Sequence, residues 1–209
     1  RFRASGSTYM SRTFGTPTTQ NTFTFSCWIK RGALGAGRAI FSTSTGSEDF
    51  YFNPSDQIII WKGVTVATST AVFRDPSSHL HFVIKADGST VKCYVNNSEV
   101  CSYTGVMAAI NTAIAHRIGY DGTYYLDGYL SRICFVDGQA LTPSSFGYQN
   151  TEINEWVTLS RSACKAVVDA GGTNSFMLDF EDGTSLTTLG NDYSTKNNDW
   201  TLTNHSLTA

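Results

Sequence analysis

Short alternating segments separated by turn residues recur along the whole chain, and this pattern limits the fold more than any other feature. In residues 23–30, for example, Phe23, Phe25, Cys27 and Ile29 fall on one face of a strand. No stretch of ten or more residues keeps a clean apolar period of about 3.6, so long helices are not expected. About a dozen short strands, with turn residues roughly every 8–12 positions, predict an all-β, two-sheet antiparallel jelly-roll sandwich.

The same alternation predicts which side chains form the core. Ile133 and Phe135 share a face in a second long segment, as Phe23, Phe25 and Cys27 do in the first. We therefore expect these five side chains between the two sheets. Less than about a tenth of the chain is expected in helix.

Composition excludes several classes of protein. The net charge is −2 and charged residues make up 15% of the chain, so we expect no binding of nucleic acid. No apolar run approaches the roughly 20 residues that span a bilayer, so membrane insertion is not expected. Aromatic residues make up 13%, enough to form a core, and this argues against disorder.

Changes along the chain suggest its organisation. We expect a jelly-roll domain over residues 1–181 and a polar C-terminal extension over 182–209, or the start of a following domain, because apolar residues thin out there. A short helical turn is predicted after Thr142, since Pro143 suits a first helical position. The chain begins without an initiator methionine or a signal segment, so we expect an internal or processed piece of a longer protein.

The chain has five cysteines: Cys27, Cys93, Cys101, Cys134 and Cys164. The odd number and the absence of a Cys-x-x-Cys pair predict neither a zinc site nor a disulfide framework. Residues 91–101 predict a hairpin with Asn96-Asn97 as a two-residue turn. In that register Cys93 lies opposite Val100 and points away from Cys101, so we expect five free thiols.

Several segments, in this order, resemble laminin-G-like (concanavalin A-like) domains of bacteriophage structural proteins. They are residues 23–31, 73–81, 91–96 and, most specific of all, the block Leu126-Asp-Gly-Tyr-Leu-Ser-Arg-Ile-Cys-Phe-Val-Asp-Gly-Gln-Ala-Leu-Thr-Pro-Ser-Ser-Phe-Gly147. Residues 191–201 are similar to the Asp- and Asn-rich segment that follows in such chains, but they lack its glycines. His79 stands where the family usually has tryptophan.

The resemblance implies a concanavalin-like jelly roll at the virion surface, in a tail fibre or as capsid decoration, assembled in the host cytoplasm. The expected partners are therefore other virion proteins, and a homo-oligomer is expected, with a trimer as the default. The resemblance implies no particular ligand, but we expect a host-surface glycan as an external ligand of such a surface module. Two alternatives stay open: a purely structural virion module without an external ligand, and a glycan depolymerase.

The residues do not predict a catalytic site. Glucanases of this superfamily place two Glu and an Asp at alternate positions of one strand, where paired carboxylates perform hydrolysis. Asp179 and Glu181 share a face, but a third carboxylate is missing and a Gly turn follows at once. We therefore expect a protein that is not an enzyme.

A carbohydrate site is predicted around the Asp121-Gly122 turn, with Tyr120, Asp121, Tyr124 and Tyr125 as its residues. Aromatic rings pack against the apolar faces of sugars, and a carboxylate can accept their hydroxyl protons. Because Tyr124 and Tyr125 are adjacent and point to opposite faces, only one of them should contribute strongly. The alternative is that these tyrosines only pack within the sheet.

Calcium is the cofactor that the resemblance implies, since laminin-G-like domains often hold it at the rim of the sandwich. The expected ligands are Asp121, Asp127, Asp192 and Asp199, with Asn197 and Asn198 nearby. Their side chains carry the oxygen atoms that calcium prefers. The alternative is that these residues form ordinary turns and a solvated loop.

Overall fold

Two antiparallel sheets pack against each other in the computed structural model, which describes residues 1–207. The seven-stranded sheet has the spatial order β15 (Thr201–Thr203), β1 (Tyr9–Thr13), β10 (Ala115–Ile118), β3 (Arg38–Thr43), β4 (Glu48–Phe52), β5 (Ile58–Lys62), β6 (Thr65–Thr68). The six-stranded sheet has the order β14 (Phe176–Leu178), β11 (Gly128–Asp137), β2 (Thr22–Arg31), β7 (Leu80–Asp87), β8 (Thr90–Val95), β9 (Ser98–Thr104). A separate hairpin consists of β12 (Gly147–Asn150) and β13 (Glu155–Thr158).

The core lies between the two large sheets, as the alternation predicts. Each of the five predicted core side chains is fully buried: Phe23, Phe25, Cys27, Ile133 and Phe135. Rings from the two sheets stack directly, for example Phe25 of β2 on Phe41 of β3, with centroids 4.6 Å apart. The predicted all-β jelly-roll sandwich is therefore confirmed.

Helical structure is short and peripheral. It consists of α1 (Arg161–Asp169), α2 (Leu186–Leu189) and two 3-10 turns, Ala4–Gly6 and Pro143–Ser145. The 3-10 turn at Pro143–Ser145 confirms the helical turn predicted after Thr142. Helix α1 was not predicted, although Ser160 caps it by accepting a hydrogen bond from the Ala163 amide. No helix in the described residues has the length and apolar character needed to cross a membrane.

The segment after residue 181 returns to the sandwich. Strand β15 pairs with β1 at the edge of the seven-stranded sheet. Trp200, which precedes it, is 3% exposed and its ring packs against those of Phe14 and Phe176. The domain boundary at residue 181 stays a prediction, but this part of the predicted extension contributes a strand and a core side chain.

The hairpin of β8 and β9 corrects the predicted cysteine geometry. Asn96 and Asn97 form the two-residue turn as predicted, with φ of 47° and 69°. A bulge then leaves Val100 without a partner, so Cys93 lies opposite Cys101. The prediction that the two cysteines face opposite sides was therefore wrong. Both side chains pack at the main core, and all five cysteines of the chain are free thiols in the structure.

Candidate functional site

The structure divides the predicted tyrosine cluster into two pairs. Tyr120 and Tyr125 stack on each other, with ring centroids 4.1 Å apart and planes at 7°. Tyr124 turns the other way and lies beside Tyr51, with centroids 5.7 Å apart. The adjacent side chains of Tyr124 and Tyr125 thus point to different places, and only Tyr124 is left beside open space together with Asp121.

That open space is a cleft of about 400 Å³, which we call the tyrosine cleft. It is lined chiefly by Gly46, Asp49, Tyr51, Trp61, Asp121 and Tyr124. The strands position these groups by alternation: Phe50 and Phe52 of β4 face the core, so Asp49 and Tyr51 face outward. Trp61 of β5 lies directly opposite Asp49 and shares that outer face of the seven-stranded sheet.

Two buried carboxyl groups give the tyrosine cleft its electrostatic character. Asp121 accepts hydrogen bonds from the amides of Thr123 and Tyr124 at 2.8 and 2.7 Å, and burial raises its pKa. Burial, with the charges of Asp121 and Glu48, raises the pKa of Asp49 to about 8. Asp49 is therefore mostly neutral at pH 7, and its Oδ1 atom has no hydrogen-bond partner in the described residues.

A glycine holds the Asp121 turn close to the sheet. Gly46, in the turn between β3 and β4, has a φ of +65°, which favours glycine. A Cβ atom at this position would lie 2.7 Å from the carbonyl oxygen of Asp121. The two loops that form this side of the tyrosine cleft can therefore meet only because residue 46 has no side chain.

The four predicted calcium ligands already accept hydrogen bonds from backbone amides, Asp121 within its own turn. Asp192 accepts from the amides of Met177, Ser194 and Asn198, Asp199 accepts from the Asp192 amide, and Asp127 accepts from the Ala4 amide.

Asn198 is also engaged, because its side-chain amide donates to the carbonyls of Thr173 and Ser175. Within residues 1–207 no three His, Cys, Asp or Glu side chains are grouped to hold a metal ion. Asp121, Asp127, Asp192 and Asp199 thus do not form one cluster, and calcium binding stays a prediction.

A second and larger cleft, of about 870 Å³, lies on the outer face of the six-stranded sheet. We call it the tryptophan cleft. Its main lining residues are Trp28, Asn96, Arg132, Gln149, Trp156 and Asp179. The hairpin of β12 and β13 forms one wall, and residues of β2 and β11 form the floor. No pattern in the sequence predicted this site.

A buried histidine fixes the wall of the tryptophan cleft to its floor. The indole N–H of Trp156 donates to Nδ1 of His81 at 2.8 Å, so Nε2 carries the ring proton and donates to Oγ of Ser26, also at 2.8 Å. Trp28 stacks on the same imidazole, with centroids 4.8 Å apart. Burial lowers the pKa of His81 to about 3, so this neutral tautomer persists near pH 7.

The carboxylate pair considered for catalysis is held by one arginine. Arg161 forms ion pairs with both Asp179 and Glu181, and its guanidinium lies over the ring of Tyr193 at 3.5 Å. These two residues therefore form an ion-pair network at the edge of the tryptophan cleft.

Residues 4–147 match a laminin G family model described as concanavalin A-like lectin/glucanases superfamily. No curated protein matches the chain. Among solved structures, a candidate carbohydrate-binding protein from Bacteroides ovatus ATCC 8483 superposes with a TM-score of 0.64 and 14% identity. The match covers 96% of this chain and 56% of that protein, and it shows a shared fold.

Two further structures are more distant. Domain 4 of AbnA, a GH43 extracellular arabinanase from Geobacillus stearothermophilus solved with arabinotriose, has a TM-score of 0.48 and 16% identity, covering 61% of this chain and 65% of that one. A heptameric SAP-like pentraxin from Limulus polyphemus has a TM-score of 0.39 and 13% identity, covering 78% and 83%.

Proposed function

The chain belongs to the concanavalin A-like lectin/glucanases superfamily, and from this premise we propose that it is a non-enzymatic module that binds a saccharide in the tyrosine cleft. The observation that carries the proposal is the meeting of three half-buried rings, Tyr51, Trp61 and Tyr124, with two buried carboxyl groups in one open cleft. The rings come from two strands and a loop, so their spacing is set by the sheet.

The chemistry of the tyrosine cleft suits an uncharged sugar. Aromatic rings pack against the C–H face of a pyranose or furanose, and each stacked ring adds about 0.5–1.5 kcal/mol beyond the burial of its area. Asp121 can accept hydrogen bonds from sugar hydroxyls, and the neutral carboxyl of Asp49 can both donate and accept them. The volume of about 400 Å³ lies within the usual range for small-ligand sites, roughly 300–1,000 Å³.

The setting that we propose is the surface of a phage virion, with the module in a tail fibre or a capsid decoration. Its support is the sequence resemblance, above all the block that ends at Gly147. In a homo-oligomer, with a trimer as the default, several weak sites would act together and raise the avidity for a host-surface glycan.

A second candidate, glycan hydrolysis, is favoured by one observation. Asp49 and Asp121 line the same cleft, and the raised pKa of Asp49 makes it a proton donor at neutral pH. The non-catalytic function is preferred because Asp121 is tied to two backbone amides of its own turn, which places it as a structural acceptor.

Matched tyrosine variants test the proposal. Wild-type protein, Tyr124→Ala and Tyr125→Ala are applied to an array of neutral gluco-, galacto-, manno-, xylo- and arabino-oligosaccharides, and the retained sugar is titrated by calorimetry. Tyr124→Ala should weaken binding by about 2- to 12-fold. Tyr125→Ala should bind within about twofold of wild type, because its ring stacks on Tyr120 outside the cleft.

The outcomes separate the rival functions. Equal binding by both variants would exclude the tyrosine cleft as the site. Retention of no array member would favour the purely structural module. Release of shorter oligosaccharides by wild type, lost in Asp49→Asn, would establish the depolymerase instead. Thermal melting of each variant confirms that it is folded.

A further inference from the structure

We propose that the tryptophan cleft is a second, independent saccharide site, selective for sugars that carry a carboxylate, with Arg132 as the residue that binds this group. The proposal goes beyond the binding of neutral sugars proposed above, because it concerns the other sheet and a ligand of different charge. It rests on the surroundings of Arg132, on its backbone conformation and on the walls of the cleft.

Among residues 1–207, no carboxylate forms an ion pair with Arg132. Its guanidinium donates a long hydrogen bond, 3.4 Å, to the carbonyl of Leu159 and a further one to the sulfur of Cys164. Two carboxylates also line the cleft, but Asp179 is paired with Arg161 and Glu155 is exposed to solvent. A guanidinium has five N–H donors, more than these two contacts use, and its planar shape is well suited to bidentate binding of a carboxylate.

The backbone of Arg132 is held in a conformation that residues other than glycine rarely adopt. Its φ is +46°, and it lies in a bulge of β11 where Arg132 and Ile133 together face one residue of β2, Cys27. The left-handed region is unfavourable for an arginine, whereas glycine or asparagine would adopt it more easily. Bulges of this kind often redirect a side chain at a binding site, and here the redirected side chain lines the cleft.

The remaining walls fit a sugar ring. Trp28 and Trp156 are half-buried and expose part of their indoles to the cleft, while the side-chain amides of Gln149 and Asn154 come from the covering hairpin. Aromatic surface next to amide donors and acceptors is the combination that binds a hydroxyl-rich ring. A volume of about 870 Å³ accommodates more than a single ring.

A glycine in the hairpin makes room for Trp156. A Cβ atom at Gly147 would lie 2.7 Å from Nε1 of Trp156, the atom that donates to His81. The position of Trp156, and with it one wall of the cleft, therefore depends on the absence of a side chain at residue 147.

Two classes of sugar carry a carboxylate, uronic acids and sialic acids, and the experiment distinguishes them. Trigalacturonate presents a uronic acid, and 3′-sialyllactose presents a carboxylate at the anomeric carbon. Fully methyl-esterified trigalacturonate keeps the rings of the first and removes its charge. Each is titrated by calorimetry into wild-type protein, and binding of either acid with at least about tenfold preference over the ester supports the proposal.

The matched variants are Arg132→Gly and Arg132→Lys. Arg132→Gly removes the guanidinium and relieves the positive φ, so it should melt at the same or a higher temperature while losing at least about tenfold in affinity for the acid. Arg132→Lys keeps the charge but not the bidentate geometry, and it should bind with intermediate affinity. Tyr124→Ala, in the other cleft, should bind the acid as wild type does.

Several results would overturn this proposal without affecting the tyrosine cleft. Wild-type protein that binds neither acid, or binds the ester equally well, has no such site. If Arg132→Gly binds the acid with wild-type affinity, Arg132 is not part of the site. A lower melting temperature of Arg132→Gly would show that this arginine is kept for packing. The neutral-sugar array with Tyr124→Ala tests the first proposal separately.

Discussion

The tyrosine cleft and the tryptophan cleft lie on opposite sheets and are assembled in different ways. The tyrosine cleft is built from two stretches of chain, residues 45–61 and 121–124. The tryptophan cleft takes its residues from at least five places, including Trp28, Asn96, Arg132, Trp156 and Asp179. The comparison shows that a site made from residues close in sequence can be predicted from the sequence. A site made from distant strands can be identified only when the register of those strands is known.

The two clefts also differ in charge. Asp49 and Asp121 are buried in the tyrosine cleft, and none of its lining residues within the described chain is a Lys or Arg. In the tryptophan cleft, Arg132 has no carboxylate partner among residues 1–207, and the aromatic wall is held by a neutral histidine. We infer that the first selects uncharged sugars and that the second selects acidic ones.

The largest effect is expected from His81, which supports only the tryptophan cleft. His81→Ala leaves the Trp156 indole N–H and the Ser26 hydroxyl without their partner and opens a cavity beneath Trp28. It should lower the free energy of unfolding by about 3 kcal/mol. Urea unfolding measures this loss, and calorimetry should show weaker binding of acidic sugar with unchanged binding of neutral sugar.

Ser26→Ala is the control for this prediction. It removes one of the two hydrogen bonds of His81 and should cost about 1 kcal/mol. If His81→Ala is as stable as Ser26→Ala, the hairpin of β12 and β13 is held by other contacts. Loss of neutral-sugar binding in His81→Ala would show that the two clefts are not independent.

A smaller and pH-dependent effect is expected from Asp49 in the tyrosine cleft. Its pKa is raised from 3.8 to about 8, so the folded protein prefers the neutral carboxyl. This contribution to stability is present below about pH 4 and is lost as the pH rises to about 8. Asp49→Asn keeps a neutral group and should be more stable than wild type by about 1 kcal/mol at pH 8, since solvent at the open cleft screens the charge.

The measurement is urea unfolding of both proteins at pH 4, 6 and 8. The advantage of Asp49→Asn should grow with pH over this range. An advantage that is constant with pH would mean that Asp49 is ionised throughout. In that case the tyrosine cleft would carry a second negative charge, and the contrast between the clefts would be stronger than we propose.

The smallest effect is expected from the turn beside the tryptophan cleft. Asn97→Gly should be neutral or stabilise the protein by up to about 0.5 kcal/mol, because glycine adopts the observed φ of 69° without a Cβ penalty. Asn96→Gly is the matched variant. It removes the hydrogen bond from the His81 amide to Oδ1 of Asn96, at 2.8 Å, and should cost about 1 kcal/mol. A loss above about 1 kcal/mol for Asn97→Gly would contradict the turn geometry.

The sequence by itself determined the sandwich and much of its core. Strand alternation has a period of two, so it can be seen in a few consecutive residues, and it placed Phe23, Phe25 and Cys27 in the interior correctly. The Asn96-Asn97 turn was also predictable, because few residues adopt positive φ readily. For the tyrosine cleft, the sequence predicted that Asp121 and Tyr124 belong to one site, but it did not identify Asp49 as part of that site.

The tertiary structure decided what depends on bulges and on pairing between distant strands. The bulge at Val100 placed Cys93 opposite Cys101. The bulge at Arg132 directed the arginine side chain toward the tryptophan cleft. The step of three between the core residues Leu130 and Ile133 is a signal that could have revealed the second bulge. One inserted residue reverses the faces of every residue that follows, and it is stabilised by contacts across the sheet. Trp28 and Trp156 therefore meet at His81 only in the folded protein.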